Sequence, residues 1–394
     1  MASRPSSECG QRTETVAVGD GAPALRVDPV VTAADLRQFI RFPFRLYAGD
    51  PHWVAPLLLE RRQFFNQRRN PFFHHAEAAY FVARRGTEVA GTIAAAVDGN
   101  YVAFHQAAIG YFGFFECIDD DDVAASLFAA ARTWLRAHGM TIMRGPNNFT
   151  TNQEVGLLVD GFDCDPVVLT TYNPPYYQRL YEQVGLIKAK DLYAYWLDAG
   201  PAPPALVEAA ERTRRRHQVR IAKMNLRDYG NEAKRVQRIY NQAWAGNWGF
   251  VPVSDEEILD LARNLRLLAD PDLALFAYVD GEAEPVGFVL CLPDINRALK
   301  PLRGRLFPLG WLRLLWARRH IDFLRIFTLG VLPDHHPLGI GALLYLETWQ
   351  SGLRKGYRAG EMSWILEDNG PMNAALQLMG ARIYKRWRIY DQTL

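Results

Sequence analysis

Apolar positions along this chain return in two spacings. Over 33–47 and again over 231–245 they recur every three or four residues, which predicts amphipathic helices. Over 79–97 and 273–292 they gather in short runs broken by a glycine-bearing turn, which predicts two joined strands. The spacing is helical once more over 123–137 and 341–354. Each of these helices is entered from a further strand, 327–332 in the second case. Another strand, a short helix ending at Gly185 or Gly380, and a last strand over 190–197 or 384–390 close each series.

The series is written twice. Phe81 and Phe276, Gly91 and Gly287, and Gly185 and Gly380 are each separated by about 195 residues. Each half also carries a private insertion, roughly 146–168 in the first and 295–325 in the second. Between the halves the run DAGPAPP at 198–204 holds three prolines, which forbid regular structure, and a helix bearing Arg212 and Arg214, Arg215 and Arg216 follows it. These features predict an α/β (α+β) protein with domains over 27–200 and 205–394. Residues 1–26, rich in polar and small residues, are expected to form a disordered tail.

The segment 327–344, FTLGVLPDHHPLGIGALL, carries the most chemical information. It reads as a buried strand, a turn with two prolines and two glycines, and a helix start. Such a unit presents unpaired backbone N–H groups to one point, at the positive end of the helix dipole, and suits an anion. It resembles the pyrophosphate loop of the GNAT (Gcn5-related N-acetyltransferase) superfamily, hydrophobic-x-Val-x-Pro followed by Arg/Gln-x-x-Gly-x-Gly/Ala. Val331, Pro333, Gly339 and Gly341 match, while His336 stands at the Arg/Gln position. The order of elements in each half is also that of the GNAT fold. The resemblance therefore implies two GNAT-like domains in tandem, each a twisted mixed sheet flanked by helices. It further implies acyl-CoA (coenzyme A) as co-substrate, held by Leu329, Val331, His336, Leu338, Gly339, Ile340, Gly341 and Asn369. At the corresponding place the first half has Asp119, Asp120, Asp121 and Asp122, which would repel a diphosphate, so only the second half is expected to bind it.

Composition narrows the picture without redirecting it. Hydrophobic content of 49% and charged content of 22% suit a globular chain, and a net charge of +2 gives no reason to invoke nucleic acid. Cys9, Cys117, Cys164 and Cys291 lie far apart without zinc-ligand spacing, so neither a metal nor a disulfide framework is expected. No apolar run approaches the ~20 residues of a membrane span. The reading is cytoplasmic.

Acyl transfer to an amine needs the amine neutral, although an alkylammonium with a pKa of ~10.4 is almost wholly charged at neutral pH. Glu361 and Glu367, placed with Ser363 and Ile365 on one face of a strand, are candidate bases, directly or through water. GNAT members often carry a tyrosine four residues before the glycine of the last helix. Here that position is Leu376, and Tyr181 occupies its first-half equivalent, so Tyr384 and Tyr345 are the substitute acids. Trp244, Asn247, Trp248 and Phe250 form a loop where the family binds the acceptor, and Trp364 is added from the strand. The amide-rich run NNFTTNQ at 147–153 suits either a polar headgroup or a turn-rich loop.

The second-half insertion supplies the remaining hint. Arg297, Lys300, Arg303, Arg305, Arg313, Arg318, Arg319 and Arg325 alternate there with Leu, Trp and Phe, and Asp322 is the lone acid of 297–325. A basic, tryptophan-bearing helix suits an anionic membrane surface, although the segment could instead pack the halves together or grip a phosphate. Through NWGFVP at 247–252, the insertion from LPD at 292–294 to RLFP at 305–308, and SWI at 363–365, the chain as a whole resembles a bacterial tandem-GNAT group that includes enzymes N-acylating a sphingoid base with acyl-CoA. That resemblance implies a long-chain amine as partner and a peripheral place at the inner face of the membrane. An acetyltransferase for a small amine or a protein lysine, and a non-catalytic acyl-CoA or lipid-binding protein, are the alternatives.

Overall fold

The computed structural model describes residues 24–266 and 268–394. The first half runs β1 (Leu25–Pro29), α1 (Ala33–Leu46), α2 (Leu58–Phe64), β2 (Ala76–Arg85), β3 (Glu88–Asp98), α3 (Gly99–His105), β4 (Ile109–Cys117) and α4 (Asp121–Ala137). It continues through β5 (Ile142–Gly145), β6 (Leu157–Asp160) and α5 (Tyr177–Gln183) to β7 (Ile187–Asp198). The second half runs α6 (Pro204–Arg216), β8 (Val219–Lys223), α7 (Tyr229–Ala243), α8 (Asp255–Leu265), β9 (Ala274–Val279), β10 (Gly287–Pro293), α9 (Asn296–Leu299) and α10 (Gly310–Ala317). It ends with β11 (Phe323–Val331), α11 (Ile340–Arg354), β12 (Ala359–Leu366), α12 (Gly370–Leu378) and β13 (Arg382–Thr393).

Local chemistry sets the main helix starts. Thr32 and Asp35 form a reciprocal capping box on α1, and Ser254 and Glu257 do the same on α8. The tail expected over 1–26 lies outside the described residues up to residue 23. Leu25 and Arg26 do not belong to it, because they open β1 and pair with Arg85 and Arg84 of β2.

All thirteen strands form one sheet, in the order β1-β2-β3-β4-β5-β13-β7-β12-β11-β10-β9-β8, with β6 on β13. From either edge the order is the same until the centre, where each half gives its last strand to the other. β13 pairs with β5 of the first half, and β7 pairs with β12 of the second. The two exchanged strands also pair with each other, from Arg382 opposite Trp196 to Asp391 opposite Ile187. The division at 200/205 thus follows the sequence repeat but does not separate two complete sheets. Either half alone would leave its fifth strand as an open edge. Trp387, Tyr195 and Tyr390 are buried along this seam.

The features that position a site lie at the parallel pairs. β4 meets β5 only over Ile109–Tyr111, and β11 meets β12 only from Phe323 to Ile326, after which each pair diverges. A bulge stands beside each divergence. On β11 it leaves Phe327 without a partner on β10, and on β4 it falls at Phe114 and Phe115.

Candidate active site

In the second half, the residues where β11 and β12 part enclose a buried polar group. Arg325 of β11 stands opposite Glu361 of β12, and both are out of solvent. The Glu361 carboxylate accepts from the Ser363 hydroxyl and from Tyr384 Oη, and its Oε1 lies 3.7 Å from Arg325 Nε. The guanidinium also donates to the Val168 carbonyl at 2.5 Å and to that of Ser363 at 3.4 Å. Burial pulls the Arg325 pKa down, while Glu361 works against that. Burial, and then Glu361, push the Tyr384 phenol far up, so it stays protonated and bound to the carboxylate.

This geometry rearranges the candidate bases. The strand irregularity between Met362 and Ile365 breaks the alternation expected over 361–367. Glu361 sits behind the cavity wall formed by Arg325 and Ser363. Glu367 leaves the set: it pairs with Lys188 at 2.7 Å, accepts the Asp191 N–H at 3.0 Å, and lines no part of the cavity. Arg325, the last basic residue of the insertion's series, is 2% exposed. The signal lay in its place inside the apolar strand FLRIFTLGV, where a lone charge needs a partner.

Above this group, β11 runs into the loop 333–341. Its helix, α11, starts at Gly339 with φ +73° and no side-chain cap. A Cβ at Gly339 would stand 2.8 Å from the Thr213 hydroxyl, whereas one at Gly341 would meet nothing. Among the described residues, the N–H groups of Ile340 and Gly341 meet no acceptor. His336 turns its ring back, Nε2–H donating to the Val331 carbonyl at 2.9 Å, so it closes the turn. Leu338 packs on the core and Ile340 is buried within it, while Leu329, Val331, His336, Gly339, Gly341 and Asn369 line the open side. Asn369 also caps α12 through the Met372 N–H at 3.3 Å. Tyr345, one turn into α11, also faces this side, and among the described residues its hydroxyl meets only the Met372 sulfur at 3.5 Å.

One cavity of about 2080 Å³ joins these parts. Trp244, Asn247, Trp248, Phe250 and Trp364 all line it, as do first-half residues, among them Phe44, Phe64, Phe65 and Phe114. Its wall also holds charged side chains that no spacing along the chain points to. Arg61 donates to both Glu154 oxygens, at 2.8 and 3.1 Å, and Asn148 donates to one of them at 2.8 Å. The neighbouring Glu60 side chain is 53% open, yet burial pushes its carboxyl pKa up. Its open face is turned into the cavity, under cover of the surrounding protein.

The first half has the same architecture with the corresponding space filled. Where β4 and β5 part, the insertion folds in. Asn147 N–H donates to the Phe112 carbonyl at 2.7 Å, and the Asn148 side chain accepts from Phe114 N–H at 2.8 Å. The helix start of α4 is occupied by its own carboxylate, Asp120 accepting from Val123 N–H at 3.1 Å, with Arg85 and Arg179 paired to the acidic run. Tyr181 lies in the first-half core.

Beside this filled space Glu116 accepts from Tyr47 at 2.7 Å and from Tyr177 at 2.8 Å. Burial pushes its carboxyl up to about 7, against the two tyrosines and Arg61. An acid whose folded pKa is raised is stabilising below its ordinary value of 4.5, and that contribution is lost as the pH climbs to about 7. Glu116→Gln should therefore match the wild type near pH 4.5 and gain about 3 kcal/mol on it by pH 7.5. Chemical denaturation at both values checks this, and a pH-independent difference would refute it.

The second-half insertion has two faces. Toward the protein it packs the halves together: Leu58 N–H donates to the Gly304 carbonyl at 3.1 Å, Lys300 pairs with Asp165 at 2.6 Å, and Leu314 lines the cavity. The other face leaves Phe307, Leu309, Trp311, Leu312, Leu315 and Trp316 exposed, Phe307 at 87% and Trp316 at 66%. Arg303, Arg305, Arg313, Arg318 and Arg319 have no ion-pair partner among the described residues. No helix among those residues is long and apolar enough to cross a membrane.

No family model matches the chain. It is 37% identical over 377 residues to the bacterial ceramide synthase of Caulobacter vibrioides (strain NA1000 / CB15N), covering 94% of this chain and 98% of that protein. It is 35% identical over 368 residues to protein YghO of Escherichia coli (strain K12), covering 91% and 93%. Among solved structures, a tandem GNAT protein from the clavulanic acid biosynthesis pathway matches with a TM-score of 0.57 at 16% identity, over 94% of this chain and 98% of that one. At that identity the likeness concerns the fold, which is the tandem one. The chain belongs to the tandem-GNAT family of the bacterial ceramide synthase, and it is an N-acyltransferase of the GNAT type.

Proposed function

We propose that the chain moves a long acyl group from acyl-CoA to the amine of a sphingoid base or similar amphiphile. The observation that carries this reading is the continuous cavity of about 2080 Å³ leading from the loop at 333–341 past Ser363 to the tryptophan loop and the phenylalanines of the first half. An acetyl group and a small amine would fill a small part of it. A long chain buried there gains ~0.8 kcal/mol per CH₂.

The acyl-CoA diphosphate is held by the free N–H groups of Ile340 and Gly341 at the start of α11, and the thioester lies where the Phe327 bulge opens the strand pair. The amine enters beside Trp248 and Trp364. Its proton passes to the Ser363 hydroxyl as that hydroxyl's proton passes to Glu361, since the carboxylate itself is sealed from the cavity. Nitrogen attack forms the amide bond as the C–S bond breaks. Tyr345, whose hydroxyl meets only the Met372 sulfur among the described residues, gives its proton to the leaving thiolate and regains one from the nitrogen, which sheds its second proton as the amide forms, and Glu361 releases the first to solvent through Ser363. The exposed apolar face of α10, ringed by unpaired arginines, rests on an anionic membrane from which the amphiphile is taken.

The test measures free thiol release from palmitoyl-CoA and from acetyl-CoA, with sphinganine presented in anionic vesicles or in detergent. Palmitoyl-CoA should be turned over at least about a hundredfold faster. A variant with Arg313, Arg318 and Arg319 changed to Glu should lose rate on vesicles and keep it in detergent. Faster turnover of acetyl-CoA with a small amine would favour the small-amine enzyme, and no release with any amine would favour the binding protein.

A further inference from the structure

The loop 244–251 has little structure of its own. It contains two glycines, Gly249 at φ +70°, and two short-range bonds, Asn247 N–H to the Trp244 carbonyl at 2.8 Å and Phe250 N–H to that of Asn247 at 3.2 Å. Val253, two residues beyond it, is held by Asn241 and Gln237 of α7, but the carbonyls at its far end are held from the other half of the molecule. Three successive carbonyls are each bonded by a first-half side chain. Thr151 Oγ–H donates to Gly249 at 2.6 Å, His105 Nε2–H to Phe250 at 2.7 Å, and Asn152 Nδ2–H to Val251 at 3.0 Å. The Asn152 side-chain oxygen, Oδ1, in turn accepts from Tyr240 Oη of α7 at 2.9 Å. Arg144 covers the Trp248 ring at 4.4 Å from its centroid, and Phe104 meets Phe250 edge-on.

We infer that the first half positions the acceptor loop of the second, with Thr151, Asn152 and His105 as positioning residues for the amine substrate. The inference rests on the proposed function for its substrate and on these contacts for its mechanism. Thr151 and Asn152 belong to the same insertion that fills the first-half strand divergence through Asn147 and Asn148. A half whose own helix start is taken by Asp120 thus keeps a role in the reaction: it holds Trp248 and Phe250 against the cavity. Loss of one bond leaves a loop carbonyl without its donor and lets the rings drift from the amine. The strand divergence of β11 and the loop 333–341 are untouched, so acyl-CoA should not register the change.

The experiment compares Thr151→Val, Thr151→Ser and Asn152→Ala in the full-length chain, by steady-state kinetics in both substrates and by amide hydrogen exchange over 244–253. Thr151→Val and Asn152→Ala should raise KM for the amine about tenfold and leave KM for acyl-CoA within about twofold. Thr151→Ser, which keeps the hydroxyl, should restore the wild-type values. Exchange should quicken in the loop and not along β11. An unchanged amine KM, a parallel rise in both KM values, or unchanged exchange in the loop would overturn the inference. Should the wild type transfer no acyl group at all, the functional reading has failed, and the exchange pattern alone decides whether the loop is held from the first half.

Discussion

Glu361→Gln is expected to lower kcat for acyl transfer by about 10²–10³-fold while KM for acyl-CoA stays within about twofold. Gln keeps the size of the side chain and an oxygen for Tyr384 and Ser363, but it cannot take a proton through the Ser363 hydroxyl. It also leaves Arg325 without the one carboxylate it pairs with among the described residues, in a site with almost no solvent. Breaking a buried pair costs about 3–5 kcal/mol, so part of any loss could come from unfolding. Ser363→Ala separates the two effects. It leaves Arg325, Glu361 and Tyr384 together and removes only the hydroxyl between carboxylate and cavity, so kcat should fall about 10–100-fold at a stability cost of about 1–3 kcal/mol, smaller than that of Glu361→Gln. Normal kcat in Ser363→Ala, with Glu361→Gln merely less stable, would assign the cluster to structure and leave the amine to lose its proton to solvent.

The sequence made the loop legible because its chemistry is backbone chemistry, written in adjacent residues. Proline ends the strand, glycine alone fits the left-handed turn at 339, and a helical apolar spacing resumes at 341. The repeat was legible for a similar reason, since turn glycines such as Gly185 and Gly380 keep their spacing. The exchange of β7 and β13 was hidden by that same repeat. Two equivalent strands can trade places without changing any local preference, so nothing in either segment states which half it completes. The five-residue edge strands β1 and β8 are not legible because LRVDP and VRIAK alternate apolar and polar positions over too few residues to stand out from a loop. Arg61 and Glu154 stand 93 positions apart, and Thr151 and Gly249 stand 98 apart. Pairs of that kind depend on the tertiary fold, within one half for Arg61 and Glu154 and between the halves for Thr151 and Gly249, and no spacing rule reaches them. Glu361 was legible as a candidate, but its neighbours were not, because the irregularity after Met362 overrides simple alternation.

Gly341→Asp should raise KM for acyl-CoA about a hundredfold and leave the fold intact or slightly firmer. A Cβ at this position meets nothing within 4 Å, so the side chain enters open space. A carboxylate in the first turn of α11 interacts favourably with the helix dipole, as Asp121 and Asp122 do on α4. The same charge beside a diphosphate at about 5 Å, with an effective dielectric of about 20, repels it by about 3 kcal/mol per unit charge before screening. Gly341→Asn matches the new side chain in size without its charge, and it should cost less than about fivefold. The two variants therefore separate charge from bulk, and raising the salt concentration should narrow the gap between them. In effect the aspartate gives the second half the acidic helix start that the first half already has. If Asp and Asn behave alike, or if acyl-CoA binds the Asp variant as tightly as the wild type, the diphosphate lies elsewhere and the free N–H groups of Ile340 and Gly341 are only a solvated helix end.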